Sequence, residues 1–439
     1  MPNSTNTAPK WPFIAICIML AAAIVVGFFS YPKHPLYQKD ITELGGGYDF
    51  FYYYATTKAL NHKISNIYAS QEMLDYSRQL SGTHNWAITD NHVPPFYLLY
   101  ISLANRTFSQ GYYIHLWANL NLMWMSVLAL CLAILPTRRQ AYIIIILMIA
   151  ATVSIGPAVD NIWLGQVGLA FTGLLAFTYM FDRADYGAPA GICLALSILL
   201  KMYPALLLVY FLLKKRWQTL KWTAYTLAAL GLAAGLQWGF GHYAAYWNFL
   251  QQSMSYNSTI ANQSLIAVMA NVCPSVSPNE LKIIHICLLA LTVSGLVWMS
   301  RSMPNRAANV SQGLLEFSVW VTAATIASPI SWSHHHILLA LPMLAFLGLA
   351  ISPSQEDATN AGEAGNEQKA AWSLNTGVTP LKRWLSLAGI AMILLLWCFE
   401  GETATNMHIK AIHYSFCVCH LGLVSLAAIL AVEITALFK

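Results

Sequence analysis

Apolar runs of membrane-crossing length recur from one end of this chain to the other, and no other feature constrains its fold so tightly. A helix needs about 20 predominantly apolar residues to traverse the hydrocarbon core of a bilayer. Such a segment must close its backbone hydrogen bonds internally, so the spanning part is a helical bundle. Apolar residues are 57% of the 439 and charged residues only 9%. The runs fall at 12–30, 112–135, 141–157, 165–181, 188–200, 203–213, 220–240, 283–300, 313–329, 335–351, 384–399 and 416–436. They predict an all-α polytopic membrane protein of about 12 transmembrane helices.

Charge gives the expected orientation. The first run, Trp11 to Ser30, has Lys10 on its flank and no Ala-x-Ala cleavage site after it, so it reads as an uncleaved anchor. With the N-terminus cytoplasmic, Arg138, Arg139, Arg183, Lys214, Lys215, Arg216, Lys221, Arg301, Arg306, Lys382, Arg383 and Lys439 share one side, as the positive-inside rule requires. The C-terminus joins them. The net charge of +5 is therefore orientation and not a nucleic-acid face. Seven of the eight cysteines lie in apolar runs and Cys273 stands in a loop, which implies no disulfide framework. Residues two apart do not share a helix face, so Cys417 and Cys419 are no metal pair.

Three units are expected: a membrane module over 1–351, a flexible cytoplasmic linker over 352–383, and a C-terminal helix pair over 384–439. The module carries a long first outer loop, 31–111. Helical periodicity at 41–60, 70–80 and 94–108 suggests helices lying in the membrane interface. Within 188–213, Lys201-Met202-Tyr203-Pro204 interrupts the run. A lysine at the bilayer centre is costly, and the residue before a proline resists helical geometry. Two short spans meeting at the outer face satisfy both constraints.

Acids are scarce enough to be informative. Asp40, Glu43, Asp49, Asp90 and Asp160 lie closest to helix ends in the outer segments. Asp49 stands out because Gly45-Gly46-Gly47 precedes it and Phe50-Phe51-Tyr52-Tyr53-Tyr54 follows. Glycines let a substrate approach the backbone, and aromatic rings offer a floor for a sugar and a partly dry setting for a base. Its structural alternative is a helix N-cap. Lys201 is placed to hold a phosphate, or else snorkels from a helix end. Asp160, Asn161 and Gln166 flank a span's entry, where they either bind sugar hydroxyls or cap helices. Consecutive helical positions point about 100° apart, so His334-His335-His336 cannot converge on one ion. One of them can face a site while two pack, and Trp332 reads as an interface anchor. The glycine run lacks the Lys-Ser/Thr of a P-loop, so no nucleotide site, cofactor or metal is expected.

Gly47-Tyr48-Asp49-Phe50, Tyr53, Ala55, Ile67-Tyr68 and Val93-Pro94-Pro95-Phe96 resemble the first outer loop of the GT-C glycosyltransferases. The closer likeness is to their polyprenyl-phosphate-mannose-dependent α-mannosyltransferase family, bacterial branch. Leu164-Gly165-Gln166-Val167, Leu199 to Pro204, Asn262-Gln263-Ser264 and Ser328 to His335 are similar to later landmarks in the same order. The resemblance implies a GT-C-type bundle in the bacterial inner membrane with its active site facing outward. It implies an inverting transfer of a hexose from a polyprenyl-phosphate donor to a lipid or glycan acceptor hydroxyl. Asp49 would be the base, with Lys201, His334 or His335, Tyr53, Asp160, Asn161 and Gln166 around the donor. A flippase for lipid-linked sugars would carry midplane polar residues on several helices. A polymerase or ligase would carry its large loop late in the chain.

Overall fold

A computed structural model describes residues 11–30, 47–68, 70–81, 92–253, 262, 264–273, 275–305, 307, 309–352, 379–405 and 427–437. Asp40, Glu43, Asp90, Gln263, Cys417, Cys419 and most of the expected linker lie outside the described residues. All regular structure within them is helical. The chain begins with α1 (Trp11–Ser30), α2 (Tyr48–Asn61) and α3 (Gln71–Ser81), then a 3₁₀ segment, Pro94–Tyr100, that runs into α4 (Ile101–Ala104). Next come α5 (Phe108–Ile134), α6 (Arg138–Thr152), α7 (Gly156–Leu164), α8 (Gly168–Arg183) and α9 (Gly187–Leu200). A second 3₁₀ turn, Tyr203–Leu206, leads to α10 (Leu207–Leu213), α11 (Trp217–Trp238), α12 (Gly241–Ser253), α13 (Leu265–Val272), α14 (Pro278–Ser302) and α15 (Val310–Ala327). A third, Ser333–Leu339, opens α16 (Ala340–Ile351), and α17 (Pro380–Thr405) and α18 (Ala427–Leu437) complete the set.

Among the described residues, five helices are long and apolar enough to cross a membrane, or six when the bent pair α6–α7 is taken as one span. That is fewer than the expected twelve. Several of the other expected runs form shorter helices, among them α9 and the Tyr203–Leu213 pair. The protein is a multi-pass membrane protein whose centre is α15 and α16, buried along nearly their whole length.

Two breaks shape one end of the bundle. α6 and α7 meet at 56°. Pro157 at the start of α7 offers no N–H, and the Thr152 and Ser154 hydroxyls turn back on the carbonyls of Ile149 (2.7 Å) and Ala150 (3.0 Å). α7 is consequently a short helix set at an angle to α6 and buried from Gly156 to Ile162. The second break is at Lys201, extended at φ −150° and ψ 132°, directly after α9. The expectation of two short helices here, not one long one, is met. α9 in turn lies tightly on α11, because a Cβ at Gly191 would sit 2.5 Å from the Thr219 carbonyl oxygen.

The first-loop helices differ from their expected setting. α2 begins at Tyr48, and Phe50, Phe51, Tyr53, Tyr54, Ala55, Ala59 and Leu60 are all buried. It packs on α3, α4, α5, α7 and the Pro94–Tyr100 segment, so its apolar residues meet protein where a lipid interface was expected.

The opposite end holds a feature invisible in the charge count. Lys214, placed from the sequence among the cytoplasmic basic residues, is buried at the end of α10. Its ammonium lies 2.6 Å from the Glu316 carboxylate on α15 and donates to the carbonyls of Ser300 (3.2 Å) and Pro304 (3.1 Å). Arg216 pairs with Asp182 and Asp185, each at 3.2 Å, tying the α8–α9 turn to the α10–α11 turn. Removing one partner of a buried ion pair strands the other charge and costs about 3–5 kcal/mol. Lys214→Met should therefore unfold far earlier than wild type in a detergent denaturation monitored by fluorescence. Lys214→Met combined with Glu316→Leu should recover most of the loss.

Candidate functional site

The site is assembled where α2 meets the end of α7. Gly47 caps α2 at φ +73° and its N–H donates to the Trp163 carbonyl at 2.7 Å. Gly165, at φ +70°, ends α7 in a Schellman closure: Gly165 N–H to Ile162 O at 3.3 Å and Gln166 N–H to Asn161 O at 2.9 Å. The left-handed region admits glycine at little cost. Space imposes the same choice, since a Cβ on Gly165 would lie 2.6 Å from the Phe50 Cβ. α5 secures the closure from the other side, where Tyr112 donates its hydroxyl to Ile162 O and His115 Nε2 donates to Gly165 O at 2.9 Å.

Asp49 is not the N-cap; that position is Gly47, and Asp49 sits in the first turn of α2. Negative charge is favoured there by the helix dipole. Its Oδ2 accepts from Gln166 Nε2 at 2.5 Å. Gln166 Oε1 in turn accepts from the Tyr53 hydroxyl at 3.2 Å and from Lys201 Nζ at 3.4 Å. A single amide thus joins Asp49 and Tyr53 of α2 to Lys201 at the α9 break.

The aromatic run after Asp49 does not form the expected sugar floor. Phe50 is enclosed by Tyr54, Tyr100, Phe108, Tyr112 and His115. Tyr53 is held by rings of His92 (5.2 Å), Phe96 (5.0 Å) and Tyr100 (5.1 Å). These rings are core, which on a helix buried nearly all round is where apolar area is best removed from water. Tyr68 donates to the His92 carbonyl at 2.9 Å, so Ile67-Tyr68 and Pro94-Pro95-Phe96 form a scaffold around Tyr53.

The histidines lie in a 3₁₀ segment where a regular α-helix was expected. The His334 and His335 rings are perpendicular with centroids 4.6 Å apart, and both are within electrostatic range of Lys201. Both are buried, and their Nε2 atoms have no hydrogen-bond partner among the described residues. The His335 Nδ1 accepts from the Trp332 N–H at 3.4 Å, which leaves the proton of the neutral ring on Nε2. His336 is directed to structure, its carbonyl accepting from the buried Trp397 Nε1 at 3.0 Å. No group of three metal-binding side chains converges among the described residues.

Asp160 and Asn161 are buried in α7. The Asn161 amide donates to Pro157 O (2.7 Å) and to His334 O (2.8 Å), so it ties α7 to the histidine segment. Asn262 has the same office one layer out: it donates to Pro329 O at 3.0 Å and accepts from Ser331 N–H at 2.9 Å. Sequence reasoning missed His92, His115 and Asn119 as supports. Asn119 Oδ1 accepts the Ala170 N–H at 3.1 Å beside His115. For His115 and Asn119 the signal was a buried polar group in an apolar span, which names a need for a partner but not the partner; half-buried His92 of the first loop gave no such signal.

Gly165→Ala should destabilise the protein by about 2 kcal/mol or more, from left-handed strain together with the Phe50 overlap. Gly295→Ala, in α14 with open space around it, should cost nothing. Paired unfolding measurements in one detergent would compare them.

Comparisons with known proteins bear on the family to which the chain belongs. The sequence profile of glycosyltransferase family 87 matches residues 92–329, over half of the chain. Two relatives are each named polyprenol-phosphate-mannose-dependent alpha-(1-2)-phosphatidylinositol mannoside mannosyltransferase. The protein from Mycolicibacterium smegmatis is 27% identical over 212 residues, covering 47% of either chain. The protein from Mycobacterium tuberculosis is 24% identical over 218 residues, 49% of either chain. The match spans about half the length of these relatives. The family profile covers Gln166 and Lys201 but neither Asp49 nor His334 and His335. The resemblance drawn from the sequence holds at the level of the family: this chain belongs to glycosyltransferase family 87.

Proposed function

We propose that this protein transfers a hexose, mannose by analogy with its relatives, from a polyprenyl-phosphate donor to a hydroxyl of a lipid or glycan acceptor. The observation that carries the reading is the convergence of a carboxylate, an ammonium and two buried, unsatisfied imidazoles from distant parts of the chain. Gln166 joins Asp49 to Lys201, and His334 and His335, whose Nε2 atoms have no hydrogen-bond partner among the described residues, lie within electrostatic range of the same lysine. A base and a set of phosphate-binding donors are the two things such a transfer needs.

The acceptor oxygen attacks the anomeric carbon from the face opposite the phosphate, forming the new C–O bond as the C–O bond to phosphate breaks. Configuration inverts. The acceptor proton passes to Asp49, and the electron pair of the broken bond leaves on the polyprenyl phosphate. Lys201 meets the charge on that phosphate, and His335 donates from Nε2; His334 lines the same corner. Tyr53 and Asn161 hold the framework, and Asp160 lies beside Asn161 on α7. In this reading the site faces outward at the bacterial inner membrane, with both chain termini cytoplasmic and membrane lipids the surroundings.

Purified full-length protein supplied with a polyprenyl-phosphate mannose and a phosphatidylinositol mannoside or alkyl mannoside acceptor should form product. Asp49→Asn keeps size and hydrogen bonding but cannot take the proton. Turnover should drop by roughly 10²–10⁴-fold while donor binding survives. Wild-type turnover in a well-folded Asp49→Asn protein would end this mechanism. Lys201→Ala should weaken donor use by about 1.5–3 kcal/mol, the value of a charge-assisted contact, and Lys201→Arg should retain part of it. Equal donor use by the alanine variant would reduce Lys201 to a snorkelling residue.

A further inference from the structure

We infer that Gln166 is a positioning residue that ties the basicity of Asp49 to the state of Lys201. When Lys201 leaves the amide to hold a donor phosphate, Asp49 becomes the stronger base, so the acceptor is deprotonated only once the donor is seated. The inference rests on the activity proposed above.

The amide has no freedom of orientation in the resting arrangement. Two donors, the Tyr53 hydroxyl at 3.2 Å and Lys201 Nζ at 3.4 Å, address one atom, which must be the oxygen. The NH₂ group is thereby directed at Asp49 Oδ2, 2.5 Å away. The two donors differ in mobility. Tyr53 is buried and locked among His92, Phe96 and Tyr100. Lys201 is half-buried at an extended residue between two helices, on a flexible stem, and its contact is at the long limit of a hydrogen bond. A phosphate oxygen is a charged acceptor and draws an ammonium more strongly than a neutral amide does. Lys201 is thus the donor that a ligand can recruit.

Its departure changes Asp49 through the amide. An ammonium on Oε1 polarises the amide and strengthens N–H donation from its other end. Donation to an ionised carboxylate stabilises that form and lowers its basicity. Losing the ammonium weakens the bond to Asp49 and raises its basicity. Other titratable and charged groups are brought to this corner by the packed elements. They are Tyr53 on α2, the Tyr100–His115 pair at 3.5 Å, Tyr112 on α5, Asp160 on α7, His92 before the Pro94–Tyr100 segment, and His334 and His335. All of these remain in place when only Gln166 is changed.

The test is the pH dependence of transfer by the full-length protein in detergent, with polyprenyl-phosphate mannose as donor and an alkyl mannoside as acceptor. The acid limb of kcat/KM for donor reports Asp49 in the free enzyme, and that of kcat reports it with donor bound. Activity on this limb requires ionised Asp49, so a more basic Asp49 moves the limb to higher pH. In wild type the kcat limb should lie above the kcat/KM limb by about one pH unit. Gln166→Met, which cannot donate, should raise the kcat/KM limb and shrink the separation. Tyr53→Phe removes the fixed donor to Oε1 and leaves that atom more dependent on Lys201, so the separation should widen. The two variants thus move it in opposite directions, and either one suffices if the other fails to accumulate. Limbs that coincide in wild type, or a separation unmoved in both variants, would overturn the coupling. If Asp49→Asn transfers normally, the proposed activity falls and this inference with it. Normal dependence on Asp49 with an unmoved separation removes the inference alone.

Discussion

The site depends on how the chain ends a helix inside an apolar bundle. A helix end leaves carbonyls without intrahelical partners, and away from water each must be met by protein. At α7 the Ile162, Trp163 and Gly165 oxygens are taken by Tyr112, Gly47 and His115. These partners come from α5 and from the start of α2. Satisfying the backbone therefore docks the first-loop helix onto α7, and the docking puts Asp49 against Gln166. Glycine at 47 and 165 is required because both backbones are left-handed and both abut rings or backbone of the partner element.

The charged and polar groups of the bundle are segregated by its two ends. α8 begins just after Gln166 and finishes at Arg183, while α9 runs back from Gly187 to Lys201. The Lys214–Glu316 pair and the Arg216–Asp182 pair hold the end away from the site. The division has a chemical consequence. At the structural end, cations are saturated by carboxylates and carbonyls. At the other, the His334 and His335 Nε2 atoms have no hydrogen-bond partner among the described residues, and both rings lie within electrostatic range of Lys201. Groups held in that condition are suited to an anionic ligand, whereas the saturated cations are suited to holding helices together.

Much of this was legible in the sequence for one reason: ionisable residues are rare in it, so each one in or beside an apolar run demands an explanation. Asp49 and Lys201 were found that way. The break at Lys201 followed from Pro204, and the bend at α7 is where Gly156-Pro157 stands. The roles of the aromatic rings were misread, because Phe50 and Tyr53 suit a sugar floor and a protein core equally well by composition. Burial on a helix surrounded by α3, α4, α5 and α7 decided for the core. The partner of Lys214 was not legible for a matching reason: Glu316 lies 102 positions further along the chain.

The sequence by itself determined that the chain is helical and membrane-embedded, that a helix breaks at Lys201, and which few side chains are too costly to be incidental. Those properties arise from local composition, proline geometry and the energetics of desolvation, which act on neighbours in the chain. Tertiary structure alone decided the partners. Gln166 reaches Asp49 across 117 positions, Asn161 reaches the His334 carbonyl across 173, and Lys201 reaches Gln166 across 35. Hydrogen bonds and ion pairs act over about 3 Å, and that proximity is set by how helices pack, a property that no stretch of sequence carries within itself.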